Sequence, residues 1–216
     1  MELPNYRIKG TPSSVYYIPD FISEVEEAYL RKQVYLAPRQ RWVQLRKRRL
    51  QSWGRGGGTP SAEGMALEAL EPWLTAPFKR FERLGLFKDM GDAPNHVLIN
   101  EYLAGQGIMP HEDGAFYHPT VATVSLGSHT ILDFYPSQES LGAPEFSLLL
   151  EPRSLVVLTE DVYLRYKHGI AETTVDDLSK KKVLNLPYDM IPCTLERTTR
   201  LSLTYRSVKN ANDRQS

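Results

Sequence analysis

After residue 95 the chain becomes a succession of short β-rich runs: "NHVLINEYL", "TVATVSLGS", "HTILDFYP", "FSLLLEP", "SLVVLTED" and "RLSLTYRSV". Gly, Pro, Ser and charged residues break each run before it reaches helical length. Several short strands at such spacing can bury their apolar residues only against one another, so the pattern calls for an all-β sandwich or barrel. The expected fold class is therefore mostly β, with an α+β part in front. At 216 residues the chain suits one domain. Its expected parts are an α+β extension over 1–94, a β core over 95–209 and a disordered tail over 210–216.

The N-terminal part reads differently. "SSVYYIPDF" is a short strand stopped by Pro19. "SEVEEAYLRKQV" follows as a helix, with Ser23 and Glu26 at capping-box spacing and Val25, Ala28, Tyr29 and Leu30 as its apolar side. From Arg39 to Arg55 there are seven basic residues and no acid. Trp42, Val43, Leu45, Leu50 and Trp53 lie among them, so this stretch reads as paired strands with exposed arginines rather than a disordered tail. "GRGGGTPSAEG" is a flexible loop by composition. "MALEALEPWLTAPFKRFERLGLF" has helical periodicity interrupted by Pro72 and Pro77, which predicts two short helices.

Net charge is zero, which argues against a whole-molecule polyelectrolyte binder. No apolar run approaches the roughly 20 residues that span a bilayer. "MELPNYRIKG" lacks the apolar stretch of a secretory signal, and Cys193 is the single cysteine. A reducing setting, cytoplasm and nucleus, is expected, with no membrane partner. Cys193 receives no role.

"GIMPHEDGAFYHP" carries the chemistry. In a strand, residues two apart share a side, so His111 and Asp113 can present an imidazole and a carboxylate to one point. A mononuclear Fe(II) oxygenase site needs two His and one carboxylate on one side of the metal, leaving positions for substrate and oxygen. The H-x-D pair alone is a weak signal, because His and Asp often neighbour each other on solvated surfaces. Four further histidines could complete it: His96, His118, His129 and His168. His168 follows two buried-looking runs and is far enough along the chain for strands to turn back. His118 reads as a wall residue, and His129 could be packed.

"RLSLTYR" places Arg200, Ser202, Thr204 and Arg206 on one side of a strand and Leu201, Leu203 and Tyr205 on the other. Two arginines on one side of a core strand suit a small dicarboxylic acid, because the guanidinium fork matches a carboxylate. The alternative is a solvated outer face. "LINEYLAG" adds Asn100 and Tyr102, again two apart. They could satisfy each other at the edge of the core or hydrogen-bond an organic anion beside a metal.

Taken in order, "NHVLINEYLAGQGIMPHEDG", "TVSLGS", "SLVVLTEDVYLRYKHGI" and "TRLSLTYR" resemble the AlkB family of Fe(II)/2-oxoglutarate-dependent dioxygenases. "YIPDFIS", "RRLQSWG" and "EPWL" resemble its first strand, its lid region and a helix start. The resemblance implies a double-stranded β-helix, a jelly-roll variant, with N-terminal helices and a basic lid. It implies Fe(II) held by His111, Asp113 and His168, with 2-oxoglutarate as co-substrate and O2 as oxidant. Asn100 and Tyr102 would contact 2-oxoglutarate, and Arg200 would pair with its distal carboxylate. Arg206 would sit nearer the metal-bound end or support Asp113. Ser202 stands where the family often has Asn, and it keeps a donor and an acceptor in the co-substrate site. Arg153 stands where the family usually has a turn glycine, so that turn is expected to differ.

In the family a lid grips nucleic acid beside the iron. Carried over, Arg46, Lys47, Arg48, Arg49 and Trp53 would meet nucleic acid. Phosphates would bind with strong salt dependence. Trp42 or Trp53 could stack on a base, a contact worth about 1–3 kcal/mol. Chemistry on a base needs a single strand or a flipped nucleotide. The expected function is oxidative demethylation of N-alkylated nucleic-acid bases by a monomer. The alternatives are a 2-oxoglutarate-dependent hydroxylase or demethylase of a protein or small molecule, a catalytically weak nucleic-acid-binding module, and a cupin-type jelly roll with other metal use.

Overall fold

The computed structural model describes residues 2–12, 15–55, 68–91, 93–137, 142–186 and 193–209. The glycine-rich stretch at 56–67 and the tail expected over 210–216 lie outside them. Along the chain the elements are β1 (Val15–Ile18), α1 (Glu24–Leu36), β2 (Val43–Leu45), β3 (Arg48–Gly54), α2 (Pro72–Thr75), α3 (Phe78–Arg83), β4 (His96–Tyr102), β5 (Ile108–His111) and β6 (Tyr117–Gly127). They continue with β7 (Thr130–Pro136), β8 (Phe146–Leu150), β9 (Leu155–Thr159), α4 (Glu160–Arg165), β10 (Tyr166–Ile170), β11 (Val175–Asp177), β12 (Thr194–Glu196) and β13 (Arg200–Val208). The fold is mostly β, as the strand spacing requires. The two helices expected around Pro72 and Pro77 form as α2 and α3.

A seven-stranded sheet runs β1-β9-β6-β13-β4-β3-β2, and a four-stranded sheet runs β5-β10-β7-β8. Every pairing in both is antiparallel. This is the jelly-roll arrangement of two opposed sheets. Val156 and Leu158 of β9 point between the sheets and pack with Leu132, Phe134, Leu148 and Leu150. Leu155 and Val157, one residue out of phase, turn to the other side and pack with Leu30, Phe81 and Tyr205 under the helices. A third cluster of Ile131, Leu149 and Leu178 covers the outside of the smaller sheet. Strands buried on both sides explain why these runs read as continuously apolar.

The alternation in β13 decides the site. Leu201, Leu203 and Tyr205 enter the core beneath the helices. Arg200, Ser202, Thr204 and Arg206 line the cavity between the sheets. All nine residues of β13 are buried, so the solvated reading of its polar side does not apply.

Helix α1 begins on the expected capping box, with Ser23 Oγ accepting from the Glu26 N–H and Glu26 accepting from the Ser23 N–H. Its acids Glu24, Glu26 and Glu27 sit at the positive end of the helix dipole. The buried side differs from the expected one. Val25 is 80% exposed and Tyr29 50%, whereas Leu30 and Val34 are buried. A polar anchor sets this orientation: the Glu27 carboxylate accepts a hydrogen bond from the Gly127 N–H at 2.6 Å. Residues 27, 30 and 34 lie on one stripe at helical spacing, so anchoring the first turns the other two inward.

The turn before β9 keeps glycine geometry without a glycine. Arg153 adopts φ +66°, and its guanidinium donates to Asp20 and lies 3.5 Å from Glu27. The ion pairs act against the strain of a left-handed side-chain-bearing residue.

Candidate active site

Glycines permit the close approach of β5 and β10. A Cβ on Gly107 would lie 2.2 Å from the Ile170 carbonyl oxygen, and one on Gly169 would lie 2.9 Å from Pro110 N. With that contact made, the register sets His111 opposite His168. Their ring centroids are 4.6 Å apart. Asp113, just beyond β5, brings Oδ2 to 3.8 Å from His168 Nε2. One ligand atom from each of His111, Asp113 and His168 lies within 4.8 Å of those from the other two. Two imidazoles and a carboxylate on one side of a point are the donor set of a non-heme Fe(II) oxygenase.

The ring nitrogens are assigned by their neighbours. His111 Nδ1 is 2.9 Å from the Met109 carbonyl oxygen. A carbonyl only accepts, so Nδ1 carries the hydrogen and Nε2 keeps its lone pair for a metal. Burial, partly opposed by Asp113, pulls the His168 imidazole down to about 4, so it is neutral and able to ligate at neutral pH. On the other side, Arg206 makes an ion pair with Asp113 Oδ1 and lies over the Tyr117 ring at 4.8 Å. Of the two positions expected for Arg206, it takes the one supporting Asp113. Tyr163 holds the next turn, its hydroxyl donating to the Gly114 carbonyl oxygen at 2.6 Å.

The cavity behind this cluster has a volume of about 190 Å³. Leu132, Leu150, Val156, Leu158 and Ile170 give it dry walls, while Asn100, Tyr102, Arg200 and Ser202 supply polar groups. Arg200 is 4% exposed and donates to Ser125 Oγ at 2.9 Å. Among the described residues its Nε has no partner and no carboxylate pairs with it. Burial brings its guanidinium down to about 10, which leaves it charged at neutral pH. A charged, dry guanidinium without a counter-ion is costly unless an anion joins it. The cavity therefore fits a small carboxylate-bearing molecule that reaches from Arg200 to the His–Asp–His cluster.

The other histidines resolve as non-ligands. His129 Nε2 lies 3.2 Å from Asp176, which Arg197 also holds. His96 is buried beside Ser52 Oγ and the Tyr117 ring, and burial takes it down to about 4. His118 lies on β6, outside the cluster.

Acidification gives a test of these environments in the metal-free protein. His96 and His168 are neutral when folded and take protons near 6.5 when unfolded. The unfolded state therefore binds more protons as pH falls below about 6.5, and stability declines down to about 4, with a slope approaching about two protons. Thermal midpoints that stay flat across that window would refute the assignment.

The basic residues need correction. Trp53 was expected at a nucleic-acid surface, yet it is 4% exposed. Its Nε1–H donates to Gln51 Oε1, Trp73 meets its ring edge-on, and the Arg41 guanidinium lies 4.1 Å from the ring centre. It is a core residue that cannot stack on a base. Trp42 is also engaged, by Tyr35 and by the Arg49 guanidinium at 4.1 Å. Arg49 is bound in two-pronged fashion by Glu101, which removes it as a free phosphate contact. Arg48 enters the cavity and donates from Nε to Asn100 Oδ1 at 2.9 Å. Lys47 pairs with Glu172, while Arg46 is exposed with no side-chain partner among the described residues. Arg46 and Lys47 line a groove, with Met109, Pro110 and His111, that opens beside the cluster. Tyr117, Tyr163 and the cavity position of Arg48 escaped the sequence reading, because no local spacing marks them.

Residues 14–206 match the family model of the 2OG-Fe(II) oxygenase superfamily. A Danio rerio protein named probable RNA/DNA demethylase ALKBH6 is 47% identical over 218 aligned positions, covering 96% of this chain and 91% of that one. A Xenopus tropicalis tRNA (carboxymethyluridine(34)-5-O)-methyltransferase, alkbh8, is 27% identical over 66% of this chain, which spans 22% of that longer protein. The structure of OsALKBH1 superposes with a TM-score of 0.60 at 12% identity, over 93% of this chain and 99% of that one. A 2OG-Fe(II) oxygenase family oxidoreductase from Burkholderia pseudomallei superposes with a TM-score of 0.52 at 13% identity, over 94% and 89%. The two superpositions share the fold.

Proposed function

The chain belongs to the 2OG-Fe(II) oxygenase superfamily, and within it to the AlkB family, and on that premise we propose that this dioxygenase oxidatively demethylates N-alkylated bases of nucleic acid. The observation that carries the reading is one cavity lined by His111, Asp113 and His168 and by Arg200, which has no counter-ion among the described residues. Ferrous iron, 2-oxoglutarate and O2 are the cofactor set of the family, and when bound they supply oxidative decarboxylation coupled to hydroxylation of a C–H bond. A hydroxylated N-methyl group leaves as formaldehyde.

The chain's own residues do the rest. His111 Nε2, Asp113 Oδ2 and His168 Nε2 would hold the metal. Met109 and Arg206 orient two of those ligands. Arg200 would pair with the distal carboxylate of 2-oxoglutarate, with Asn100, Tyr102 and Ser202 around it. The apolar walls exclude water, which strengthens each of these charged contacts.

The substrate reading draws on the 47%-identical relative named a probable RNA/DNA demethylase and on the groove beside His111. Arg46 at its rim suits a phosphate, and the groove suits a single strand or a flipped nucleotide. We place the protein in the cytoplasm and nucleus as a monomer. No helix among the described residues is long and apolar enough to cross a membrane.

The test is an assay of the Fe(II)-loaded protein with 2-oxoglutarate and single-stranded RNA and DNA oligonucleotides, each bearing one N-methylated base. Loss of the methyl group by mass, matched by formaldehyde, is expected for at least one of them. Succinate formation with every oligonucleotide unchanged would move the substrate to a protein or small molecule.

A further inference from the structure

Three consecutive cations of the hairpin formed by β2 and β3 meet three different fates. Lys47 pairs with Glu172 across the groove. Arg49 lies on the outer side of β3, held by Glu101 and seated on Trp42. Arg48 points the opposite way, as strand alternation requires, and lines the cavity that contains His111, Asp113 and Arg200. Its Nε is spent on Asn100 Oδ1. Among the described residues neither of its Nη groups has a hydrogen-bond partner and no carboxylate pairs with it.

The other two guanidiniums of the cavity leave a place for it. Arg206 is consumed by Asp113. Arg200 sits at the far end, against Ser125 and the Tyr102 ring. A dicarboxylic acid that places one carboxylate on Arg200 has its second carboxylate near the metal ligands, where Arg206 is already neutralised. Arg48 is the remaining cation of the cavity lining, set by the register at the Glu101–Tyr102 end of β4, the end with which Arg200 pairs, and it also borders His111 in the outer groove. It lines both the cavity and the outer groove, so it stands where the co-substrate pocket opens to solvent.

We propose that Arg48 is a co-substrate-binding residue: the hairpin contributes a guanidinium to 2-oxoglutarate, so that filling the cavity docks the hairpin over it. The proposal rests on the dioxygenase assignment and is independent of what the substrate is. Its consequence is an order of events. The hairpin is anchored by the pairing of β3 with β4 and by Arg49–Glu101 on its outer side, whereas across the groove and into the cavity it is tied by the half-exposed Lys47–Glu172 pair and by Arg48. An anion that engages Arg48 adds a charge-assisted bond to the hairpin side of the cavity. By reciprocity, whatever co-substrate does for the hairpin the hairpin does for co-substrate affinity.

The experiment uses the full chain loaded with Mn(II), which binds the ligand set without turnover. Calorimetry measures 2-oxoglutarate binding to the wild type, Arg48→Met, Arg48→Lys and Arg200→Met. Hydrogen exchange over residues 43–54 is followed with and without 2-oxoglutarate. Arg48→Met is expected to weaken 2-oxoglutarate binding about tenfold, the usual size of one charge-assisted hydrogen bond. Arg48→Lys should recover part of that loss. Exchange in the hairpin should slow on 2-oxoglutarate addition in the wild type and stay unchanged in Arg48→Met. If Arg48→Met melts early, wild-type exchange and Arg48→Lys decide the matter. Unchanged 2-oxoglutarate affinity in Arg48→Met, with only oligonucleotide affinity reduced, assigns the residue to substrate and overturns the proposal. A hairpin whose exchange ignores 2-oxoglutarate overturns the docking. Undiminished binding in Arg200→Met as well would show that the cavity is not the co-substrate pocket, a failure of the site assignment rather than of Arg48 alone.

Discussion

His111→Ala is expected to reduce Fe(II)- and 2-oxoglutarate-dependent succinate formation to below about one per cent of the wild type, since losing even a residue that only orients a metal ligand costs about 10–100-fold in metal affinity. His111 is the informative choice among the three ligands. It lies on the edge strand β5, is half-buried, and its removal strands no buried charge. Removing Asp113 would instead leave Arg206 buried without its carboxylate, and a loss of fold would be hard to separate from a loss of iron. His111→Ala should therefore melt near the wild-type temperature without metal and fail to gain stability on adding Fe(II) or Mn(II). Turnover that survives this change would mean the metal is held elsewhere.

Arg200→Met is expected to act in opposite directions on function and on stability. The 2-oxoglutarate KM should rise about 100-fold, because a bidentate charge-assisted contact in a dry cavity is worth about 3 kcal/mol. Supplying co-substrate in excess should recover much of kcat, since the metal ligands are untouched. The co-substrate-free protein should meanwhile be as stable as the wild type or more so. Arg200 is 4% exposed, and among the described residues its Nε has no partner and no carboxylate offsets its charge, so an apolar side chain of similar length removes a desolvation penalty. A thermal midpoint and a 2-oxoglutarate titration on the same sample check both signs. A variant that loses stability while keeping its KM would place Arg200 as a structural cation and leave the cavity without its anion receptor.

Much of this site was legible along the chain because strand alternation is a local rule. The period of two in "RLSLTYR" sorted Arg200, Ser202, Thr204 and Arg206 from Leu201, Leu203 and Tyr205, and the structure sorts them the same way. The capping box of α1 was visible for a similar reason, since Ser23 and Glu26 need only one turn of backbone to meet. Its buried side was misread, with Val25 and Tyr29 outside and Val34 inside, because a hydrogen bond from Gly127, some hundred residues away in sequence, turns the helix. Trp53 was misread because basic neighbours marked the hairpin as a surface, while the ring itself faces the helices.

The order of residue types along the chain was enough to establish a β core, a His and an Asp two residues apart, and a polar row with an arginine at each end on one side of a strand, although Asp113 lies just past the end of β5 rather than on it. Those properties depend on neighbours within a few residues, and backbone geometry alone enforces them. Which histidine joins the pair, which arginine neutralises Asp113, and which basic side chain leaves the surface for the cavity were settled only when β5 met β10 and β3 met β4. Such choices depend on register between strands far apart in the chain. A shift of one residue in that register would turn every one of those side chains to the opposite side.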